Sequence, residues 1–338
     1  TIFVAGSNRI AMIHKLKLLL IAIVLPLATC MSAAKNPIPA MLDRIDPGAS
    51  RKFATEVKAD PSGDDYFEIS QKGNRVLVTG NNYVSIATGI NWYLKNVLRI
   101  HLSWNGMTAE LPDRLPQMAK PVRKSTSMKL RYNFNYCTYS YTMPFWNWER
   151  WEREIDWMAL HGINLPLAAI GQECVWRNML TRLAYSKEEI NNFIAGPAFL
   201  AWWAMNNLEG WGGPNPDSWY AAQEEMQKRI LARMKEFGIQ PVLPGYSGMM
   251  PSNADEKLGL NIIKSPLWNG FTRPAFIYPT DPKFAEMARI YYDEQRRLFG
   301  SAEYYSMDPF HECKNAEMFD FDAGGKAVMA AMKRANPD

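Results

Sequence analysis

The residue whose type and position best fit chemistry is a glutamate near the C-terminal end of the sequence. Glu312 closes the segment Asp308-Pro-Phe-His-Glu, which follows a short β-prone run at 304–307. In barrels of alternating strands and helices, side chains at the C-terminal ends of the strands carry the chemistry. A carboxyl group placed there can give a proton to a reacting group and take it back. We therefore predict that Glu312 is catalytic; the alternative is an ordinary helix cap or loop carboxylate.

The sequence shows no pattern typical of a metal, cofactor or nucleic-acid site. His311 and Cys313 flank Glu312, but His-Glu-Cys-Lys-Asn is not an HExxH motif, and no CxxC pair occurs. The 38 basic and 34 acidic side chains leave a net charge of +4, spread without long runs, which is too weak a bias to indicate nucleic acid. The 12 Trp, 15 Tyr and 15 Phe suit stacking against sugar rings, although a large core explains the same excess. We expect no cofactor and no metal ion.

Four strand-and-helix units are expected to position Glu312. Apolar runs bounded by turn residues predict strands, and the segments between them show the apolar spacing of amphipathic helices. Because each strand-to-strand step contains a helix, the strands should be parallel. Four units make half of an eight-stranded barrel or a small doubly wound sheet, and the lack of GxGxxG weakens the second interpretation. The predicted strands are 130–136, 163–170, 240–244 and 304–307, and the main predicted helices are 146–161, 218–237 and 281–299, with a capping box at Ser186-Lys-Glu-Glu189 opening another.

The region before these units has a different pattern. Two short strands at 67–70 and 75–78 and an amphipathic helix at 82–98 predict a small α/β domain over residues 35–111. Residues 112–127 are rich in Pro, Lys and Arg, and we interpret them as a linker. The N-terminal half of a catalytic (β/α)8 barrel then occupies 128–338.

The first 34 residues have the layout of an export signal preceded by upstream residues. Basic residues after Met12 lead into the apolar run 18–27, and Ser32-Ala-Ala offers small residues for cleavage. The apolar run is too short for a transmembrane span. Cys30 also permits a lipoprotein interpretation. We expect an exported protein, periplasmic or extracellular, with lipid attachment at Cys30 as the alternative to ordinary cleavage.

Four segments of the chain carry a specific family resemblance. They are NYCTYSY (135–141), WERWEREIDWMALHGIN (148–164), GQE (171–173) and GPAFLAW (196–202). On these residues the chain resembles glycoside hydrolase family 89, the α-N-acetylglucosaminidases, from about residue 65 to its C-terminal end. The resemblance implies an N-terminal α/β domain, a (β/α)8 barrel and a C-terminal helical domain. It also implies retaining hydrolysis of terminal α-linked N-acetylglucosamine in glycans.

The resemblance also implies roles for individual residues. Glu312 matches the general acid/base, and retaining glycosidases need a second carboxyl group about 5–5.5 Å from it. That nucleophile, a second Glu, is implied beyond Asp338; the 26 residues after Glu312 have room for one more helix. The matching pocket residues are Asn135, Cys137, Trp202, Trp268 at a looser match, and His311, which stands where the family often has Asn.

Several alternatives stay open at this point. A carbohydrate-binding protein on a degenerate barrel would lack the second carboxylate, whereas an enzyme would carry it outside these residues. Glu173 follows a predicted strand and either positions substrate or holds a loop. Cys137 and Cys174 form a disulfide or are buried thiols. Trp202 belongs to the pocket or to the core.

Overall fold

The computed structural model describes residues 36–312 and 319–336. The predicted leader with Cys30, and Cys313, lie outside this part of the chain. No helix within it is long and apolar enough to cross a membrane. The helices are α1 Ile38–Ile45, α2 Tyr83–Asn96, α3 Tyr136–Tyr141, α4 Trp148–Leu160, α5 Gln172–Arg182, α6 Lys187–Phe193, α7 Leu200–Ala204, α8 Asp217–Phe237, α9 Ala254–Leu258, α10 Phe284–Phe299 and α11 Phe321–Ala335. The strands are β1 Phe53–Val57, β2 Asp65–Lys72, β3 Arg75–Gly80, β4 Val122–Thr126, β5 Tyr132–Asn133, β6 Leu165–Pro166, β7 Val242–Pro244, β8 Met249–Met250, β9 Ile262–Ile263, β10 Ala275–Ile277 and β11 Tyr304–Ser306.

The N-terminal part is a four-stranded mixed sheet packed against helix α2. The strand order is β1-β3-β2-β4, with β1 parallel to β3 and β2 antiparallel to both β3 and β4. Asn82 begins α2, since its side chain accepts a hydrogen bond from the Ser85 N–H at 2.8 Å. Gly89 lets α2 approach the sheet closely: a Cβ atom there would lie 2.7 Å from Cγ1 of Val78. The helix and the two strands predicted for this part are confirmed, although both strands are longer than expected.

The interpretation of residues 112–127 as a linker is wrong for its second half. Val122–Thr126 is the edge strand β4, which pairs with β2. Most of its side chains are exposed, including those of Arg123 and Lys124. Charged side chains on an edge strand discourage pairing with other chains. Because these charged residues interrupt the alternation of apolar and polar residues that predicts a strand, the sequence indicated a linker here.

Four short parallel strands form the barrel part, in the order of their appearance in the chain. Tyr132 pairs with Leu165, a parallel bridge joins Leu167 to Val242, and Val242 pairs with Tyr304. The strand order is therefore β5-β6-β7-β11, as in the first half of a (β/α)8 barrel. The predicted parallel strands are confirmed. Helices α4, α8 and α10 lie at the places predicted for them.

The first barrel strand is much shorter than the prediction of 130–136. The backbone turns out of the sheet at Phe134, whose φ is +74°. Asn135 then caps α3, and its side chain accepts a hydrogen bond from the Thr138 N–H at 3.1 Å. A side-chain cap offers the backbone an alternative to strand pairing, and here it ends β5 at Asn133. The apolar alternation in the sequence continues past that point, which is why the predicted strand was too long.

Two long excursions at the strand ends were not predicted in full. Between β6 and α8 the chain forms α5, α6 and α7, of which only α6, with its capping box at Ser186, was expected. Between β7 and α10 it forms a three-stranded antiparallel sheet of order β8-β10-β9, together with α9. Both excursions leave C-terminal ends of barrel strands, which is the face where barrel enzymes hold their sites.

The apolar core is continuous between the N-terminal sheet and the barrel part. Buried side chains of the sheet, of α2 and of α4 belong to one cluster that reaches the barrel strands, including Ile69, Val78, Ile90, Trp151, Ile155, Leu167 and Val242. A second, more aromatic cluster lies among α5 to α10, including Trp176, Trp203, Tyr246, Phe284, Tyr291 and Tyr292. The sheet and the barrel part, assigned above to separate domains, are thus packed together through shared apolar burial.

Candidate active site

Glu312 lies six residues beyond the end of strand β11, in a strained backbone conformation. Its φ is +49°, in the left-handed region that residues other than glycine rarely adopt. The conformation costs on the order of 1–2 kcal/mol, and such strain is found most often at functional sites. The side chain is 51% exposed, so its carboxyl group is accessible from outside. Glu312 thus follows the fourth barrel strand, in the loop that leaves its C-terminal end.

A side chain that the sequence analysis missed holds the Glu312 carboxyl group. The Nδ2 amide of Asn207 donates a hydrogen bond to Oε2 of Glu312 at 2.8 Å, and Asn207 is only 1% exposed. Asn207 follows helix α7, and its backbone N–H donates to the carbonyl of Trp202 at 2.9 Å. The sequence held a weak signal for this contact. Two consecutive Asn residues after an apolar helix indicate the end of the helix, and an Asn side chain there can form hydrogen bonds with nearby groups.

A second residue missed from the sequence is a buried arginine that joins two loops. Arg273 is 5% exposed, and its guanidinium donates to three backbone carbonyls. Nε bonds Asn206 at 2.9 Å, Nη2 bonds His311 at 3.0 Å and Nη1 bonds Glu312 at 3.3 Å. The loop after α7 and the loop after β11 are therefore tied together directly at Glu312. The sequence signal for such a buried cation was an arginine two residues before the apolar strand β10.

His311 lies at the site, as predicted, and is oriented by a carboxylate. Its Nδ1 is 2.8 Å from Oδ2 of Asp308. Its Nε2 faces Oε1 of Glu312 at 3.9 Å, which is too long for a hydrogen bond. The imidazole therefore stands beside the carboxyl group and keeps its second nitrogen available.

Helix α3 brings two further predicted residues to the same strand end. Asn135 is exposed at the start of α3, and Cys137 is a half-buried free thiol in its first turn. Between them, the Tyr136 hydroxyl donates to the carbonyl of Ser306, the last residue of β11, at 3.2 Å. That hydrogen bond places the start of α3 beside the strand that leads to Glu312.

Trp202 is partly exposed on α7, so it is not a plain core residue. Its ring meets that of Tyr141, on α3, edge to face at 6.1 Å between centroids. Tyr141 is 68% exposed. Since the Trp202 carbonyl also accepts from the Asn207 N–H, the tryptophan is joined through the backbone to the residue that holds Glu312.

Trp268 lies on the loop before β10. It forms an antiparallel bridge with Phe271, and the two rings lie 6.4 Å apart. Phe271 also packs edge to face on the half-exposed Trp211 at 5.0 Å. The same loop carries Arg273. The structure therefore places Trp268 in an aromatic cluster with Phe271 and Trp211.

Glu173 is enclosed below the site and favours the loop-holding interpretation. It is 2% exposed and accepts a hydrogen bond from Nε1 of Trp219 at 2.9 Å. It lines a cavity of about 40 Å³ together with Gln172 and Trp203. Burial raises the pKa of Glu173 to about 7. A carboxyl group shut away from the open face supports α8 through Trp219.

Glu209 is a second buried carboxylate, and it clamps the loops that carry Asn207 and Arg273. Its oxygens accept from the Ser252 N–H at 2.7 Å and from the Ser252 hydroxyl at 2.8 Å. Its own N–H donates to the Thr272 carbonyl at 2.9 Å. Burial raises the pKa of Glu209 to about 7, and its hydrogen bonds to Ser252 oppose that rise.

The remaining cysteine and metal expectations can be compared with residues 36–312 and 319–336. Cys137 and Cys174 are not joined, and the Cys174 thiol is buried with its Sγ donating to the Tyr220 carbonyl. The alternative of a disulfide between Cys137 and Cys174 is therefore wrong. Over these residues, no group of three or more His, Cys, Asp or Glu side chains is arranged to hold a metal ion.

Two family models match the chain. The alpha-N-acetylglucosaminidase (NAGLU) N-terminal domain matches residues 36–117, and the tim-barrel domain of the same family matches residues 131–338. Human alpha-N-acetylglucosaminidase is 37% identical over 299 residues, which cover 85% of this chain and 40% of the human protein.

Solved structures give the same picture. CpGH89 from Clostridium perfringens, in a form with two Glu-to-Gln substitutions and bound to its substrate GlcNAc-alpha-1,4-galactose, is 37% identical with a TM-score of 0.86, over 90% of this chain and 36% of that one. A family 89 glycoside hydrolase from the same organism, in complex with PUGNAc, is 38% identical with a TM-score of 0.85. An N-acetyl-beta-hexosaminidase of Streptomyces plicatus, 14% identical with a TM-score of 0.50, shares the fold. The chain spans about two fifths of the length of its family relatives.

Proposed function

The chain belongs to the alpha-N-acetylglucosaminidase (NAGLU) family, and we propose that the full-length protein is an exo-acting retaining glycosidase that releases terminal α-linked N-acetylglucosamine from glycans. The observation that carries this proposal is the accessible carboxyl group of Glu312 at the end of the fourth barrel strand. Further support comes from the relative CpGH89, which holds its substrate when two of its glutamates are changed to glutamine. A reaction that depends on two carboxyl groups accounts for that behaviour.

In the proposed reaction Glu312 acts first as an acid and then as a base. The protonated carboxyl group gives its proton to the glycosidic oxygen while a second carboxylate attacks the anomeric carbon and the C–O bond to the leaving sugar breaks. Glu312, now ionised, takes a proton from water, which attacks the same carbon and frees the second carboxylate. We place this nucleophile, a second Glu, in the part of the relatives' length that the 338 residues do not span. These residues by themselves are expected to give no turnover.

The sugar is proposed to bind between the loops that surround Glu312. Trp202 and Trp268 would supply aromatic faces for the ring, while His311, Asn135 and Cys137 would supply polar contacts. The partly exposed Trp202 beside Tyr141 supports this assignment best. A non-catalytic sugar-binding protein on the same fold is the alternative, and it is not favoured, because the family relatives named above are glycosidases.

Export is proposed on the sequence of the first 34 residues alone. Mass spectrometry of the N-terminus of the exported protein separates the two forms of the proposal. Cleavage near Ala34 gives a free N-terminus, whereas lipid attachment leaves Cys30 as the blocked first residue. A mature chain that still begins near Met12 would contradict export.

The decisive test is Glu312→Gln in the full-length protein, measured on two substrates. A sugar leaving group needs protonation, so its hydrolysis should fall by about 10²-fold or more. An aryl glycoside of an acidic phenol needs little protonation, so formation of its glycosyl-enzyme should be relatively spared. Attack by water then lacks its base and becomes limiting, and added azide should restore turnover by attacking the intermediate without base help.

A matched control is Glu303→Gln, which changes an exposed glutamate at the other end of β11. It should leave both substrates unaffected. If Glu312→Gln lowers both substrates equally and azide has no effect, Glu312 is not the acid–base residue and the proposed function loses its main support.

A further inference from the structure

We propose that Asn207 is a positioning residue for the reaction, which fixes the oxygen of Glu312 that carries the transferable proton. This inference rests on the proposed acid–base role of Glu312. The juxtaposition behind it is a buried amide donor, 1% exposed, aimed at one oxygen of a carboxyl group that is otherwise 51% exposed.

The two oxygens of Glu312 are not equivalent. Oε2 accepts a hydrogen bond from Nδ2 of Asn207 at 2.8 Å. The other oxygen, Oε1, has His311 Nε2 at 3.9 Å, which is beyond hydrogen-bonding distance. An amide nitrogen of Asn can only donate, and the carbonyl oxygen of a protonated carboxyl group accepts a hydrogen bond better than its hydroxyl oxygen does. The transferable proton is therefore held on Oε1.

Asn207 can impose this choice because its own backbone is fixed from two sides. Its N–H donates to the Trp202 carbonyl at 2.9 Å, at the end of α7. Two residues further on, Glu209 bonds both Ser252 and Thr272. The segment between these anchors is short, so the amide cannot follow the carboxyl group if Glu312 turns about its side-chain bonds.

The distance between donor and acceptor is set by Arg273 rather than by the side chains themselves. Its guanidinium bonds the carbonyl of Asn206, the neighbour of Asn207, and also the carbonyls of His311 and Glu312. One rigid planar group thus holds both loops in register. The same contacts stabilise Glu312 in its left-handed conformation, with φ of +49°.

The amide hydrogen bond also gains strength during the reaction. When the proton leaves Oε1, negative charge develops on Glu312, and a hydrogen bond to an ionised acceptor is about twice as strong as one to a neutral acceptor. An interaction that is stronger in the transition state than in the ground state accelerates the chemical step. Asn207 should therefore act on the proton transfer itself and spare substrate binding.

The test compares Asn207→Leu with Asn215→Leu in the full-length protein. Leu has the branched shape of Asn with a larger volume, and it lacks the amide. We expect Asn207→Leu to lower kcat/KM by about 100-fold for a substrate with a sugar leaving group, and by less than about threefold for an aryl glycoside of an acidic phenol. Asn215 is another buried Asn of the same excursion, whose Nδ2 bonds the Ala195 carbonyl at 2.9 Å. Its substitution should lower the melting temperature and leave both rates of the folded enzyme similar to those of the wild type.

A second variant, Asn207→Asp, keeps the side-chain volume and decides the matter if the Leu variant does not fold. It places a second carboxyl group beside that of Glu312, and two such groups share one proton. The basic limb of the kcat/KM profile should move to higher pH by about one unit. The titratable and charged groups that already face this point are His311, Arg273 and, through His311, Asp308, and all three are unchanged in the variant.

The outcomes separate the inference from the proposed function. Equal losses on both substrates for Asn207→Leu, or an unmoved basic limb for Asn207→Asp, would overturn the positioning role. If Glu312→Gln, measured in parallel, shows leaving-group dependence while Asn207→Leu does not, only this inference fails. If Glu312→Gln shows no such dependence, the proposed function fails and this inference fails with it.

Discussion

Two regions of this molecule bury charged side chains, and they satisfy them in opposite ways. Between the N-terminal part and helices α4 and α8, buried charge meets opposite charge. Asp156, 2% exposed, accepts from Nε of Arg44 at 2.7 Å and from Nη2 of the buried Arg233 at 2.9 Å. Next to it on α4, Glu154 is paired with Arg150 at 2.7 Å. Each cation here neutralises an anion.

Around the candidate active site, buried ionisable groups meet neutral partners instead. Arg273 donates to three backbone carbonyls, Glu173 accepts from an indole N–H, and Glu209 accepts from Ser252. Over residues 36–312 and 319–336, no ion pair within 4.0 Å involves any of these three groups. Burying a charge without an opposite charge is expensive.

The contrast indicates what each region is for. The ion pairs between α1, α4 and α8 fix how the N-terminal part and the barrel part pack. Removing one partner of such a buried pair lowers stability strongly, because the other charge is left buried and unpaired. Over the described part of the chain, neutral partners leave the site groups without a counter-ion and hold them by directional hydrogen bonds, which suit the positioning of the loops around Glu312. We therefore expect substitutions in the first region to change stability and those in the second to change pH dependence and rate.

The largest effect is expected from Asp156→Ala. The substitution leaves Arg233 buried with one carboxylate fewer, and removal of one partner from a buried pair costs about 3–5 kcal/mol. Urea unfolding of the full-length protein, followed by tryptophan fluorescence, measures the loss. The matched control is Asp322→Ala, whose pair with Lys326 is 76% exposed on both sides and should contribute less than about 1 kcal/mol. Similar losses of unfolding free energy for the two variants would show that the buried ion pairs of Asp156 contribute no more to stability than an exposed pair does.

A somewhat smaller effect is expected from Glu173→Gln, and it should depend on pH. Burial raises the folded-state pKa of Glu173 from 4.5 to about 7, so between these values the folded state holds a proton that the unfolded state has lost. The stability from this group is present below about pH 4.5 and is lost as pH rises through 7. Gln keeps the acceptor for Trp219 and never ionises.

The variant should therefore match the wild type near pH 4.5 and exceed it by about 2–3 kcal/mol at pH 8. Unfolding free energies of both proteins at the two pH values check this, with Glu224→Gln as the control at a more exposed carboxylate. A constant difference between variant and wild type across the pH range would mean that Glu173 does not titrate with folding.

The smallest effect is expected from Arg273→Lys. Compared with Arg233→Lys, it tests the difference between the two regions most directly, because the same substitution is made in each. Lysine keeps the charge at both positions and cannot span three carbonyls with one planar group. Arg273→Lys should lower kcat/KM by about tenfold, which is about 1.4 kcal/mol, because Glu312 loses its fixed position. Arg233→Lys should reduce stability and leave the rate of the folded enzyme unchanged. Kinetics and melting temperatures of both variants test this, and the reverse pattern would reject the division into two regions.

The sequence predicted features that depend on local pattern. Apolar periodicity and turn residues gave the four parallel strands and their main helices, and the capping box at Ser186 was found as expected. Glu312 was identified because the barrel topology makes a carboxyl group that follows a strand informative, whereas Asn135 was identified through the family resemblance alone. The failures came from features whose local pattern is weak: the charged edge strand Val122–Thr126 resembled a linker, and the short strands of the excursion after β7 lack alternation.

What the sequence by itself determined is the order of elements, the family, and the glutamate at the end of the fourth strand. Tertiary structure alone decided that Asn207, 105 residues before Glu312, donates to its carboxyl group, and that Arg273 bonds the backbone of both loops. The reason is physical. Helix and strand patterns depend on residues within a few positions of one another, whereas a hydrogen bond between loops depends on how the barrel brings the strand ends together. The sequence thus identified Glu312 as the candidate acid–base residue, and the tertiary structure determined which side chains contact it.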